Sequence, residues 1–134
     1  GLSLVDRVAG LRLNEVAPSS LQGLALGLDA LPSTDRAKVE VLPGPAGVAT
    51  RALDGADVVI VDPPRKGLEP AVLQALCERG PRRLVYVSCG FDTFLRDAAQ
   101  LVTEGGYAAT ALRAYDLLPY TDHVETVACF ERRG

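Results

Sequence analysis

One thiol and two carboxylates stand at the ends of apolar runs in this chain. Cys89 follows Leu84-Val85-Tyr86-Val87-Ser88, and Asp62 follows Asp57-Val58-Val59-Ile60-Val61 and precedes Pro63-Pro64-Arg65. Glu125 lies in the run from Val124 to Phe130, just after a polar loop. A thiolate is a nucleophile, and a carboxylate can take a proton. Brought into one cleft, the three could supply a nucleophile and proton-transfer groups. A free thiol ionises near pH 8.5, so such a site must favour the thiolate through a helix N-terminus or a nearby cation. Arg96, further along, is one candidate cation. Each residue also has a plainer use. A lone Cys at a strand end is usually a small buried hydrophobe. Asp before two prolines forms turns. Glu125 alternates with apolar neighbours, as a solvent-facing strand residue does. Cys77, on a helical apolar face, and Cys129, in a strand, are expected in the core.

The elements that would carry these groups follow from pattern. Short apolar runs bounded by Pro, Gly and charge predict buried strands at 57–61 and 84–87. Open α/β sheets bind ligands outside the carboxyl ends of their strands, where Asp62 and Cys89 fall. Alternation predicts strands at 11–16, 38–42, 107–112 and 124–130. A helix over Leu21 to Leu31 is expected after Pro18, with Ser19 or Ser20 as N-cap. Residues 1–8 read as the tail of a helix, 32–35 as a loop and 46–53 as a short helix. Val72, Leu73, Leu76 and Cys77 keep a helical period within Glu69 to Arg79, and Gly80 stands where a C′ glycine is expected. A further helix is expected from Asp92 to Thr103, closed by Gly105-Gly106. Alternating strands and helices predict an α/β fold with a mostly parallel sheet and helices on both faces. The last two strands are joined too closely for a helical crossover, so that pair should be antiparallel.

With 134 residues the chain is expected to form one domain around a single core. Its formal net charge is −3, which argues against a free-standing nucleic-acid binder held by phosphate neutralisation. An enzyme with a local basic rim, from Lys66, Arg82, Arg83 and Arg96, is compatible with that balance. Three cysteines without C-x-x-C spacing and a single His make a metal site improbable and fit a reducing compartment. No run of about 18 apolar residues is present, and the start has neither a basic n-region nor a long apolar core. A cytoplasmic or organellar protein is expected, not a secreted one. The chain has no Met and reads as part of a longer protein.

Three segments together resemble the C-terminal catalytic part of the S-adenosylmethionine-dependent RNA uracil-5-methyltransferases. They are Asp57 to Leu68, with Asp62-Pro63-Pro64-Arg65; Val85 to Asp97, with Ser88-Cys89-Gly90; and Asp116 to Val127, with Thr121-Asp122-His123-Val124-Glu125. The resemblance implies a Rossmann-like methyltransferase sandwich whose last strand is antiparallel. It implies methyl transfer from S-adenosylmethionine to C5 of a uridine in rRNA or tRNA through a covalent adduct at C6. Cys89 would be the nucleophile, Glu125 the proton-abstracting base and Asp62 an acid of the cleft. Glu15, Asp62 and Pro63 would meet the cofactor. Arg65, Arg96, Thr121 and His123 would meet the RNA.

The chain departs from the family pattern in three places. Gly90-Phe91 follows the Cys where Asn-Pro is usual. Pro43-Gly44-Pro45 ends the strand that usually offers an acid to the adenine. The first strand, with its glycine-rich turn, is not visible. These departures keep a second reading open, a non-catalytic binding or structural module that retains the fold. A third is a cysteine hydrolase using Cys89 and His123, for which nothing marks an oxyanion hole.

Overall fold

The computed structural model describes residues 1–117 and 124–133. Two compact units divide the chain, residues 1–52 and 53–134.

The first unit opens with a 3-10 helix, Leu2–Arg7. Strand β1 (Leu11–Glu15) pairs in parallel with β2 (Val39–Pro43), with Leu13 opposite Val41. Between them lie α1 (Pro18–Asp29) and a short α2 (Ser33–Arg36) where the sequence predicts only a loop. Helix α1 starts earlier than expected. Its N-cap is Ala17, and Pro18 takes the first helical turn, where its missing N–H costs nothing. Ser19 and Ser20 are therefore inside the helix. The expected helix at 46–53 is two 3-10 turns, Ala46–Val48 and Thr50–Leu53.

The second unit holds a four-stranded sheet in the order β3-β4-β6-β5. Strand β3 (Val58–Val61) runs parallel to β4 (Arg83–Ser88). Strand β6 (Glu125–Arg132) inserts between β4 and β5 (Tyr107–Tyr115), antiparallel to both. Thus the expected antiparallel ending is present, and β5 extends beyond the alternating segment. A bulge between Ala109 and Ala111 interrupts its register with β6.

Helix α3 (Pro70–Arg79) joins β3 to β4, and α4 (Phe91–Thr103) joins β4 to β5. Both crossovers step across the sheet in one direction. Right-handed connections then place both helices on one face. Strand alternation shows which face. Leu84, Tyr86 and Ser88 of β4, with Phe130, Ala128 and Thr126 opposite them on β6, are buried. Tyr86 meets Phe94 of α4 edge to face, with ring centroids 5.3 Å apart. Leu76 of α3 and Leu101 of α4 complete this core, each fully buried. Such side chains contribute about 1.5–3 kcal/mol apiece. On the other face, Val58 and Ile60 of β3 remain 48% and 56% exposed.

Gly80 does follow α3, but with an extended backbone, φ −64° and ψ 165°. Its requirement is space rather than a left-handed turn, since a Cβ there would strike the Leu76 carbonyl and the Tyr107 hydroxyl. No helix of the described residues is long and apolar enough to cross a membrane.

Candidate active site

The strand register gathers the chemistry. Strand β4 ends at Ser88, paired with Thr126 of β6. One step further along, Cys89 lies level with Glu125. Val61, the last residue of β3, pairs with Tyr86, so Asp62 follows at the level of Val87. All three residues sit at the carboxyl end of β3 and β4. Side chains alternate between faces along a strand. Within β6, Glu125 is therefore opposite in face to buried Thr126, while Asp62 and Cys89 follow directly on the last paired residues of β3 and β4. The acid, the thiol and the second acid thus share one end of the sheet.

Local bonding turns the thiol outward. Ser88 is buried, and its Oγ donates to the Gly90 carbonyl and accepts from the Gly90 N–H, both at 3.0 Å. This closes a tight bend around Cys89, which is exposed. Gly90 is the N-cap of α4, so the thiol lies at the positive end of that helix. A Cβ on Gly90 would lie 3.0 Å from both the Arg65 carbonyl and Thr93 Oγ1. The chain's glycine at this position permits the Asp62-Pro63-Pro64-Arg65 loop to approach closely.

That loop is tied down from the helix side. The Gly67 N–H donates to the Pro64 carbonyl at 2.8 Å, closing a turn. Gly67 has φ +85°, a conformation open chiefly to glycine. Thr93 Oγ1 donates to the Arg65 carbonyl at 2.8 Å. Asp97 is a charged residue with 0% exposure. Its Oδ2 accepts from the Leu68 N–H at 2.8 Å and from the Tyr86 hydroxyl at 2.7 Å. Its Oδ1 accepts from Arg96 Nε and Nη2 at 2.9 and 2.7 Å. Burial, and then the bond to Asp97, raise the Tyr86 phenol well above its usual range, so it stays a donor.

Arg96 also donates to the Lys66 carbonyl at 3.1 Å. Its side chain is 58% exposed, yet its charge is matched by Asp97 rather than directed at Cys89. Asp62 and Arg65 are exposed, Pro63 and Glu125 half-buried. Thr121 and His123 lie outside the described residues. Ser88 and Asp97 stand in the family-like segment without a role assigned, and Gly67 and Tyr86 likewise carry none. A φ requirement and a buried carboxylate leave little trace in sequence, although Gly67 closes the Pro64 to Gly67 turn as glycines often do.

Glu15 belongs to the first unit. Its Oε1 accepts from the N–H groups of Val16 and Ala17 at 2.7 and 2.8 Å. These bonds, Ala17's foremost, hold the carboxyl below its usual range and fix it at the turn after β1. At the end of β2, Asn14 Nδ2 donates to the carbonyls of Leu42 and Gly44 at 2.8 and 2.9 Å. Among the described residues no three of His, Cys, Asp and Glu cluster as a metal site needs.

Comparison with known proteins adds to this geometry. The family model for tRNA (uracil-5-)-methyltransferase matches residues 52–133. The chain is 34% identical over 132 residues to an uncharacterised RNA methyltransferase of Protochlamydia amoebophila, covering 98% of this chain and 34% of that protein. It is 48% identical over 83 residues to the 23S rRNA (uracil(1939)-C(5))-methyltransferase RlmD of Alkalilimnicola ehrlichii, covering 62% of this chain and 18% of that one. Among solved structures, the tRNA (uracil-54, C5)-methyltransferase of Pyrococcus abyssi in complex with S-adenosyl-L-homocysteine superposes with a TM-score of 0.75. The identity is 29%, over 97% of this chain and 31% of that one. TYW2 of M. jannaschii in complex with AdoMet shares the fold at a TM-score of 0.62 and 16% identity, over 95% of this chain and 60% of that one. The chain spans about a third, or less, of the length of the curated relatives it matches.

Proposed function

Because the chain belongs to the tRNA (uracil-5-)-methyltransferase family, we propose that it supplies the catalytic strands for methylation of C5 of a uridine in rRNA or tRNA. Cys89 is the nucleophile, Glu125 the base and Asp62 the supporting acid. The observation that supports the reading is that the three follow or open paired strands at one end of the sheet, Asp62 after β3, Cys89 after β4 and Glu125 at the start of β6.

The roles follow from the chemistry of the pyrimidine. C5 of uracil is a poor nucleophile. Addition of the Cys89 thiolate at C6 makes C5 enolate-like and able to accept a methyl group. S-adenosylmethionine, when bound, supplies that group on a sulfonium. Glu125 then takes the C5 proton, the C5–C6 double bond re-forms, and the Cys89 thiolate leaves. Asp62, beside this pair, orients the base or sets its protonation. Pro63 and Pro64 stiffen the loop between cofactor and target. Arg65 meets RNA phosphate at the rim, and Arg96, while bound to Asp97, presents its exposed edge there too. Thr121 and His123 are proposed to contact the RNA. A carboxylate acceptor suits a ribose diol, and Glu15, anchored by two backbone amides, fits that task for the cofactor.

The test is a covalent trap. The full-length protein is mixed with S-adenosylmethionine and ribosomal or transfer RNA containing 5-fluorouridine. Fluorine at C5 cannot leave as a proton, so the protein–RNA adduct persists on a denaturing gel. An adduct that requires both the cofactor and Cys89, and is abolished in Cys89→Ala, is the expected result. Absence of any adduct over broadly sampled RNA would sink the reading in favour of a non-catalytic module.

A further inference from the structure

We infer that Asp97 is the positioning residue of the site, the buried anchor that holds the Pro64 to Leu68 loop on α4 and so sets Asp62 and Cys89 relative to each other. This rests on the roles proposed above for those two residues. Asp97 touches neither. It lies on the helix side of the sheet, bonded to Tyr86.

Its connections reach both loops. Toward the Asp62 loop, Oδ2 takes the Leu68 N–H, and Arg96, gripped by Oδ1, carries the clamp on to the Lys66 carbonyl. Toward the thiol, α4 itself runs back from Asp97 to its N-cap Gly90, the residue after Cys89. Thr93, one helical turn before Asp97, bonds both the Arg65 and Gly90 carbonyls, at 2.8 and 3.0 Å. A fully buried carboxylate is costly unless its oxygens are satisfied, and here each oxygen has two donors. Structural economy alone does not call for a charge here, because well-packed apolar residues commonly replace buried ion pairs without loss of stability. The directional bonds to a loop backbone do call for one. Gly67 completes the device. A Cβ there would lie 2.5 Å from Arg96 Nη2 and 2.7 Å from Asp97 Oδ2, so only glycine lets the loop close on the carboxylate.

The experiment compares wild type, Asp97→Asn and Gly67→Ala in the full-length protein, with three readouts. The first is the single-turnover rate constant for the 5-fluorouridine adduct, which does not depend on the fraction of folded protein. The second is the alkylation rate of Cys89 by iodoacetamide, followed by mass spectrometry without RNA or cofactor. The third is amide exchange at Leu68 against that of Ala128 and Phe130 in β6. The expected result is an adduct rate lowered at least about tenfold, since small misplacements cost that much or more. Cys89 alkylation slows about threefold as the thiol leaves the helix terminus. Exchange accelerates at Leu68 and not in β6. Adduct and alkylation rates equal to wild type, or exchange raised uniformly, would overturn the inference and leave Asp97 as a stability residue. Should Asp97→Asn fail to fold, Gly67→Ala decides by the same criteria. If wild type itself forms no adduct, the methyl-transfer reading falls. Alkylation and exchange then still decide the clamp.

Discussion

Cys89 and Cys77 show how far two thiols in one small unit can differ. Cys89 is turned out by the Ser88–Gly90 bend and stands at the amino end of a helix. Cys77 is buried against α4, near the Gln100 carbonyl. Burial foremost, and then the Glu104 carboxylate, push its thiol above the usual range. Brief treatment with iodoacetamide at mild alkaline pH should therefore label Cys89 well before Cys77, by at least about tenfold, because the thiolate is the reacting form. Peptide mass spectrometry reads the order directly, and equal labelling would remove the basis for treating Cys89 as distinct. Residue type made Cys89, Asp62 and Glu125 candidates, and the three family-like segments around them, not type alone, set them above the plainer readings. Residue type did not mark Asp97, whose importance lies in being buried with four donors. Nor did it mark Gly67, whose importance lies in a φ angle and an absent Cβ.

At the scale of elements, the strands were legible because two are short apolar runs bounded by Pro, Gly or charge and the others alternate apolar with polar residues. Their ends were less so. Helix α1 begins at Pro18 because Glu15, not a serine, accepts the amides that precede it. The order of strands was not legible beyond the antiparallel pair. What holds that order includes Arg132 of β6. Its guanidinium donates to the carbonyls of Gly105, Gly80 and Cys77 and lies over the Tyr107 ring at 5.5 Å. One cation thereby satisfies the carboxyl end of α3, the turn after α4 and the start of β5. Replacing it by Ala should cost about 2–3 kcal/mol, in line with losing charged bonds to partly buried carbonyls. Urea unfolding would measure this, and a loss within experimental error would show that water replaces the guanidinium.

The whole molecule comprises two units, and the family match at 52–133 corresponds almost wholly to the second. The first is where the sequence was hardest to read. Its helix α1 contains Gly23 and Gly27 and buries no residue fully, and the expected helix at 46–53 is two 3-10 turns. Its stability should depend on pH through Glu15. Backbone amides lower that carboxyl's folded value beneath its unfolded one. The stabilisation is then fully present above the unfolded value and is lost as pH falls through the folded one. Glu15→Gln should lower the thermal midpoint of wild type near neutrality, and the difference should shrink toward zero in acid. A difference that grows on acidification would contradict the assignment.

Strand β6 has hydrogen-bonded neighbours on both sides, and Glu125 is its first residue. Such a strand cannot drift by small amounts. A slip of one residue would turn Thr126, Ala128 and Phe130 out of the core. The next permitted setting is two residues away, a jump of about 7 Å. The position of the carboxylate is thus quantised. It is right or it is far wrong, and any fine adjustment of reach must come from the side chain's own length or from the loops that bring Cys89 and Asp62 to meet it.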